Sequence, residues 1–348
     1  MQAIDLHTHR SVLPFFIRQL SLTCACSIPK QSIVYEQVIK MKKWNSTRLP
    51  FYVLASSLAL SGCLENKDSN NLSSSDTGTL TIAITDSPID EASAVFLQIN
   101  GLTLYDANGK QSEITFEEPK LIDVLALQGG LSETILSDYP VKAGDYAYVT
   151  FDLDLNASYV VTADGNIGLT ISNQRGAIST LIDFFVNDAS ASAPIARFSI
   201  GEGANTNITF DFDLRKSIFQ EQGSSLLSFS PAIRSVLTAQ AGSISGTIDA
   251  NQFNSLCVAA DSAVYAFSGQ NATPRDIRGT TNDPISTANI IQTQSGYAYT
   301  LAFLPVGDYT ISLACNVTND AVGTTDTLNF KSRTNVSVNT GQVSTFNF

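Results

Sequence analysis

Residues 146–161 read YAYVTFDLDLNASYVV, and their texture sets the fold class of the chain. Phe151, Leu153 and Leu155 alternate with Asp152 and Asp154. That is the period of two expected of a strand with one face on a core. The same texture recurs on both sides. Residues 79–85 (TLTIAIT), 94–105 (AVFLQINGLTLY, interrupted at Gly101), 169–172, 181–186, 208–214 and 226–236 all predict strands. Residues 121–127 (LIDVLAL) predict a strand end or a single helical turn. Turns are expected at Asp86-Ser87-Pro88 and, hairpin-like, at Asp106-Ala107-Asn108-Gly109. No window carries a sustained helical period with caps. Short strands punctuated by Gly, Asn and Asp predict an all-β chain, as a sandwich or a partly open barrel.

The alternation pauses at Ala239-Gln240-Ala241 and restarts at Gly242 with GSISGTID. Further strands are expected at 263–267, 297–304, 309–315, 335–338 and 343–348. Residues 299–311 (YTLAFLPVGDYTI) spell a strand, a Leu-Pro-x-Gly-x-Tyr turn and a second strand. Pro305 is expected to fix the exit from the first strand, and Gly307 to supply a positive φ. This pattern resembles the prealbumin-like sandwich modules appended to carboxypeptidases and many surface proteins. The resemblance covers roughly 242–348 and implies a structural or binding unit rather than a catalytic one.

In the first half, TDSPIDEASAVFLQINGLTLY (85–105), IDVLALQGG (122–130), VKAGDYAYVTFDLDLNASYVV (141–161), FDFDLRKSI (210–218) and PAIRSV (231–236) come in a recognisable order. Together they resemble the bacterial and archaeal lipoprotein domain DUF4382, a domain of unknown function. That resemblance implies an extracytoplasmic β-rich domain and no particular activity. The expected architecture is two β-sandwich domains, immunoglobulin-like/prealbumin-like, at 78–237 and 242–348.

Upstream, residues 41–63 (MKKWNSTRLPFYVLASSLALSGC) have a basic head at Lys42, Lys43 and Arg48, a short apolar run, then Leu60-Ser61-Gly62-Cys63. Positive charge, an apolar core and small residues before a cut are the parts of a secretory signal. The apolar run is shorter than the roughly 20 residues a membrane span needs. Leu60, Ser61 and Gly62 resemble a lipobox, which implies a signal peptide over 41–62 and lipidation of Cys63. Leu64 after the cysteine, by resemblance to Gram-negative sorting, implies the outer membrane. Residues 63–77, rich in Ser and Asn, predict a flexible tether. Since Met1 and Met41 are the only methionines, translation is expected to begin at Met41, with 1–40 a mis-assigned extension. The alternative is a genuine lead, or a metal tract on His7, His9, Cys24 and Cys26, whose spacing fits no zinc pattern.

Seven of the 20 Lys+Arg and two of the 32 Asp+Glu precede Cys63, so the mature part carries 13 cations against 30 acids, near −17. Such a balance argues against nucleic acid, which demands basic patches. The mature part also has no His, Met or Trp. Histidine-based triads, histidine-ligated zinc or copper and the usual haem ligands are thereby excluded. Cys257 and Cys315 remain as an even pair, expected to form a disulfide in an oxidising envelope. Two buried free thiols are the alternative.

The candidate chemistry is acidic. Asp152 and Asp154 share one face of a strand, and Asp211 and Asp213 do the same between Phe210, Phe212 and Leu214. If those strands were neighbours, the four carboxylates could gather calcium, which takes about six to eight oxygens, or supply a glycosidase pair. The plainer alternative is the outward face of a sandwich, with Arg215 and Lys216 pairing some of the acids. Asp86, Asp90 and Glu91 cluster beside a Pro turn, where Asp is expected to bond nearby amides. Tyr146, Tyr148, Tyr159, Tyr297 and Tyr299 suit core packing at least as well as sugar stacking. The chain is therefore expected to be a lipid-anchored envelope protein, non-catalytic, that contacts a glycan, envelope component or partner protein. A carboxylate-dependent hydrolase acting on polysaccharide and a calcium-binding surface protein are the alternatives.

Overall fold

The computed structural model describes residues 76–89, 92–171, 198–220 and 223–348, all within one compact unit. The signal-like stretch with Cys63, everything before it, the tether through residue 75, and the strand expected at 181–186 lie outside the described residues. So do Asp90 and Glu91.

The first half is built from β1 (Thr77–Ser87), β2 (Ala94–Asp106), β3 (Gln111–Asp123), β4 (Glu133–Lys142), β5 (Gly144–Thr162), β6 (Gly165–Ile171), β7 (Phe198–Ile200), β8 (Asn205–Asp213), β9 (Ile218–Gln220), β10 (Leu227–Phe229) and β11 (Ile233–Leu237). Strands β11-β8-β1-β4 form one sheet, and β3-β2-β5-β6-β10-β9, with β7 on β5, form the other. The two sheets face each other across a single apolar core. Phe151 of β5 meets Phe210 and Phe212 of β8 there, with ring centroids 5.2 and 5.6 Å apart. The alternation in FDFD is thus a true strand period: the phenylalanines face the core, and the aspartates face away from it.

The second half comprises β12 (Gly242–Ile248), β13 (Ser262–Ser268), β14 (Ser286–Asn289), β15 (Ile291–Thr293), β16 (Gly296–Leu304), β17 (Gly307–Cys315), β18 (Asn329–Val338) and β19 (Val343–Thr345). Two four-stranded sheets, β15-β16-β12-β19 and β14-β13-β17-β18, enclose its core. Cys257 and Cys315 are joined as a disulfide, with Cα atoms 5.1 Å apart. A single 3-10 turn, Thr238–Gln240, connects β11 to β12.

Several expectations change in detail. Strand β2 runs through Gly101 with a register shift rather than a break. A Cβ at Gly101 would lie 2.3 Å from the Ile114 carbonyl oxygen, so the glycine admits β3 at close range. Residues 121–127 are both things at once, since β3 ends at Asp123 and a 3-10 turn follows over Val124–Ala126. The run 226–236 is two strands in different sheets, broken around Pro231, which lacks a ladder donor. At the 299–311 hairpin Gly307 has the expected positive φ (158°), and Phe303 is a second residue at positive φ (50°).

Both sandwiches share one local device. Gly144-Asp145-Tyr146 opens β5 and Gly307-Asp308-Tyr309 opens β17. Tyr146 donates its hydroxyl to the Lys142 carbonyl, and Tyr309 to the Pro305 carbonyl, each at 2.7 Å. Each preceding aspartate accepts a serine hydroxyl at 2.5 Å, from Ser199 and Ser337 respectively. The pair of tyrosines therefore locks the corner entering a central strand in each half.

Candidate functional site: an ionic seam between the sandwiches

The four predicted carboxylates do not meet. Asp152 and Asp154 sit on β5 in the seven-stranded sheet, whereas Asp211 and Asp213 sit on β8 in the other. Asp152 is exposed. Half-buried Asp154 accepts the Asn156 amide (3.0 Å) and the Gln98 side-chain amide (3.5 Å). Among the described residues, no group of three or more His, Cys, Asp or Glu is placed to hold a metal ion. The gathering of all four into one calcium site or glycosidase pair is therefore corrected: β5 and β8 are separated by the core rather than hydrogen-bonded neighbours.

Asp211 and Asp213 are not on a solvated face either, being only 4 % and 5 % exposed. The second sandwich covers them. In the parallel β1–β8 ladder Thr85 pairs with Asp211, Asp86 with Phe212 and Ser87 with Asp213, and at this strand end the Asp86 carboxyl feels the Asp211 and Asp213 charges. Across the antiparallel ladder, Arg234 of β11 faces Asp211 and forms an ion pair with it. The chain then leaves β8 through one helical turn, Leu214–Ser217. Asp213 caps that turn by accepting the Lys216 amide at 3.2 Å and pairs with the Lys216 ammonium at 2.7 Å.

Three cations of this cluster reach into the second sandwich, and each finds a backbone carbonyl. Arg215 donates to Val317 O at 3.0 Å, Lys216 to Pro284 O at 2.6 Å, and Arg234 to Phe303 O. Arg215, 4 % exposed, also lies over the Tyr265 ring, 5.9 Å from its centroid. A buried guanidinium is costly unless its donors are satisfied; here the Tyr265 face, the Val317 carbonyl and the Asn289 side-chain oxygen take over part of water's role.

The other sequence pieces converge on the same place. Thr85 Oγ1 lies 2.9 and 2.7 Å from the Leu127 and Leu131 carbonyls, and the Asp86 amide donates to Leu127 O. This draws Gln128, Gly129 and Gly130 against β14–β16, and a Cβ at Gly130 would stand 3.6 Å from that of Ala302. Between the halves remains a cleft lined by Thr85, Asp86, Asp211, Thr287 and Asn289 among others. Its free space is ≈ 20 Å³, room for about one water and not for a sugar ring.

Asp86 is the unusual member. Its turn role is not fulfilled: neither carboxyl oxygen meets hydrogen-bond geometry with any donor, and the residue is 7 % exposed. Burial pushes its pKa well above the ordinary value, and the neighbouring Asp211 and Asp213 charges push the same way. The Leu214 amide and Arg215 guanidinium lower it only in part. On the far side of Arg215, burial lifts Asp320 to about 6, although it accepts the Tyr265 hydroxyl at 2.6 Å and the Ile277 amide at 2.8 Å.

These seam residues coincide with the pieces of sequence that looked diagnostic. Residues 77–231 match the family described as a domain of unknown function, DUF4382. The DUF4382 region supplies Asp86, Asp211, Asp213, Arg215 and Lys216, while the carbonyls that receive its cations lie beyond it. No curated protein matches the chain. Among solved structures, the Bacillus anthracis TIE protein is 10 % identical, with 78 % of this chain and 34 % of that chain covered and a TM-score of 0.18. This chain therefore spans about a third of that protein's length. The minor pilin GBS52 of Streptococcus agalactiae is 11 % identical over 78 % of this chain and 94 % of its own, TM-score 0.18. A Bacteroides ovatus fimbrial protein is 10 % identical over 78 % and 48 %, TM-score 0.19. TM-scores this low carry no argument about the DUF4382 region or its neighbour.

Sequence reasoning missed Arg234, Asp320 and the isolation of Asp86. A signal was present for the first: Arg234 follows apolar Ile233 in a run that predicts a strand, which puts it on the face opposite Ile233.

Proposed function

We propose that this chain is a lipid-anchored envelope lipoprotein with a non-catalytic binding or structural role, tethered through Cys63 to the outer membrane and presenting two sandwiches as one body. The observation that supports the non-catalytic part of this reading is the commitment of Asp211 and Asp213 to ion pairs at the seam. A general acid or base needs a carboxyl facing space for a substrate. Asp86 has the raised pKa of such an acid, but the cleft beside it holds about one water. The joined cysteines suit an oxidising compartment, and among the described residues no helix is long and apolar enough to cross a membrane. The partner on this reading is a glycan, envelope component or protein, with no nucleic acid.

Metabolic labelling with radioactive palmitate, followed by outer-membrane fractionation, tests the anchor. The wild type should be labelled and sediment with the outer membrane, and Cys63→Ala should be unlabelled and released. An unlabelled wild type overturns the anchored reading.

A further inference from the structure

We infer that the second sandwich carries a binding groove for a neutral saccharide, walled by the disulfide-pinned loop and by Gln292 and Tyr297. The groove is open to solvent, offers ≈ 490 Å³ and is lined by Phe253, Asn254, Val258, Ile290, Gln292 and Tyr297 with two alanines. That size falls in the range of small-ligand sites, about 300–1,000 Å³.

One wall is the pairing of β15 with β16, where Gln292 lies directly opposite Tyr297. The other is the loop following the 3-10 turn Ala250–Gln252. Asn254 and Cys257 exchange backbone hydrogen bonds of 3.0 and 3.1 Å, closing the loop on itself. The disulfide to Cys315 then ties it to buried β17. Phe253 packs edge to face on Tyr297, with centroids 4.7 Å apart. The groove is thus held in shape before any ligand arrives, which reduces the ordering cost of binding.

The chemistry of the lining selects the ligand. Aromatic rings accept the C–H face of a sugar, while the half-buried Tyr297 hydroxyl and the exposed Gln292 amide make no hydrogen bond to the described residues. A wholly apolar ligand would bury those groups unpaired, at about 1–3 kcal/mol each. No charged residue lines the groove, and the region after residue 62 is near −17, so an anion gains nothing here. Strand addition by a peptide is disfavoured because the edge strand β15 is three residues long.

This deepens the non-catalytic binding role and rests on it. The test uses the full chain in detergent with maltohexaose, cellohexaose, xylohexaose, laminarihexaose and N-acetylchitohexaose, followed by saturation-transfer NMR and titration. At least one hexaose should bind, and Tyr297→Ala and Gln292→Ala should each weaken it tenfold or more. Tyr297→Phe, which keeps the ring, should lose less than Tyr297→Ala, and remote Asp152→Asn should lose nothing. Failure of every hexaose to bind at millimolar concentration overturns the groove, as does binding that survives the Tyr297→Ala/Gln292→Ala double variant. A hexaose that binds through Tyr297 but is recovered shortened would keep the groove and overturn the non-catalytic role.

Discussion

Arg234 lies directly opposite Asp211 in the β8–β11 ladder, and its guanidinium joins that carboxylate to the Phe303 carbonyl of the second sandwich. One side chain thereby spans a strand pair and a domain seam. Removing either partner strands a buried charge, which typically costs 3–5 kcal/mol. Arg234→Ala should therefore lower unfolding stability by about that amount, whereas the apolar double variant Asp211→Leu/Arg234→Met should cost markedly less. Denaturant melts of the single and double variants measure the difference. Equal losses would show that the ion pair is not the source.

The carboxyls of Asp86 and Asp320 predict an acid-favoured fold. Both have folded pKa values above the unfolded 3.8, Asp320 at about 6. A raised folded pKa gives stability that is fully present below the unfolded value and is lost as pH rises through the folded one. Their combined contribution should thus decline from about pH 4 upwards. Asp86→Asn cannot ionise, so it should match the wild type near pH 4 and exceed it at pH 8 by about 1–3 kcal/mol, the scale of an unpaired buried polar group. Thermal melts at the two pH values decide it, and a shift of equal size at both would contradict the assignment.

Reduction of the Cys257–Cys315 bond opens a loop spanning 58 positions. In the chain-entropy model that loop is worth about 4 kcal/mol. Cys257→Ala/Cys315→Ala should lose stability on that scale and become insensitive to reductant. A wild type whose mass does not rise by two hydrogens on reduction would contradict the bond.

The corner tyrosines should behave alike. Tyr146→Phe and Tyr309→Phe each remove a 2.7 Å hydrogen bond to a carbonyl four residues upstream. Each should cost about 1–1.5 kcal/mol, measured by urea titration. A null effect at both positions would mean that water replaces the hydroxyl without loss.

The fold was legible wherever a strand buries one face. Phe151, Leu153 and Leu155 announce β5 because its other side is wet or polar. Strands β3 and β4 carry no such pattern, since most of their residues are exposed on both faces at a sheet edge. The seam was illegible for a different reason. Period-two alternation places Asp211 and Asp213 away from their own core, but it cannot say whether solvent or another domain lies there. Only the second sandwich decides that, and the contacts it makes with Arg215, Lys216 and Arg234 run to backbone carbonyls, which every residue possesses.

The central claim is that the Asp211–Arg234 and Arg215 contacts weld two sandwiches into one cooperative body, committing Asp211 and Asp213 to ion pairs and leaving Asp86 beside a cleft with room for about one water. Differential scanning calorimetry of the full chain tests it most directly. The wild type should unfold in a single transition, and Arg215→Ala/Arg234→Ala should split it into two while far-UV circular dichroism stays β-rich. Two resolved transitions in the wild type, or a single unshifted one in the double variant, would contradict the account.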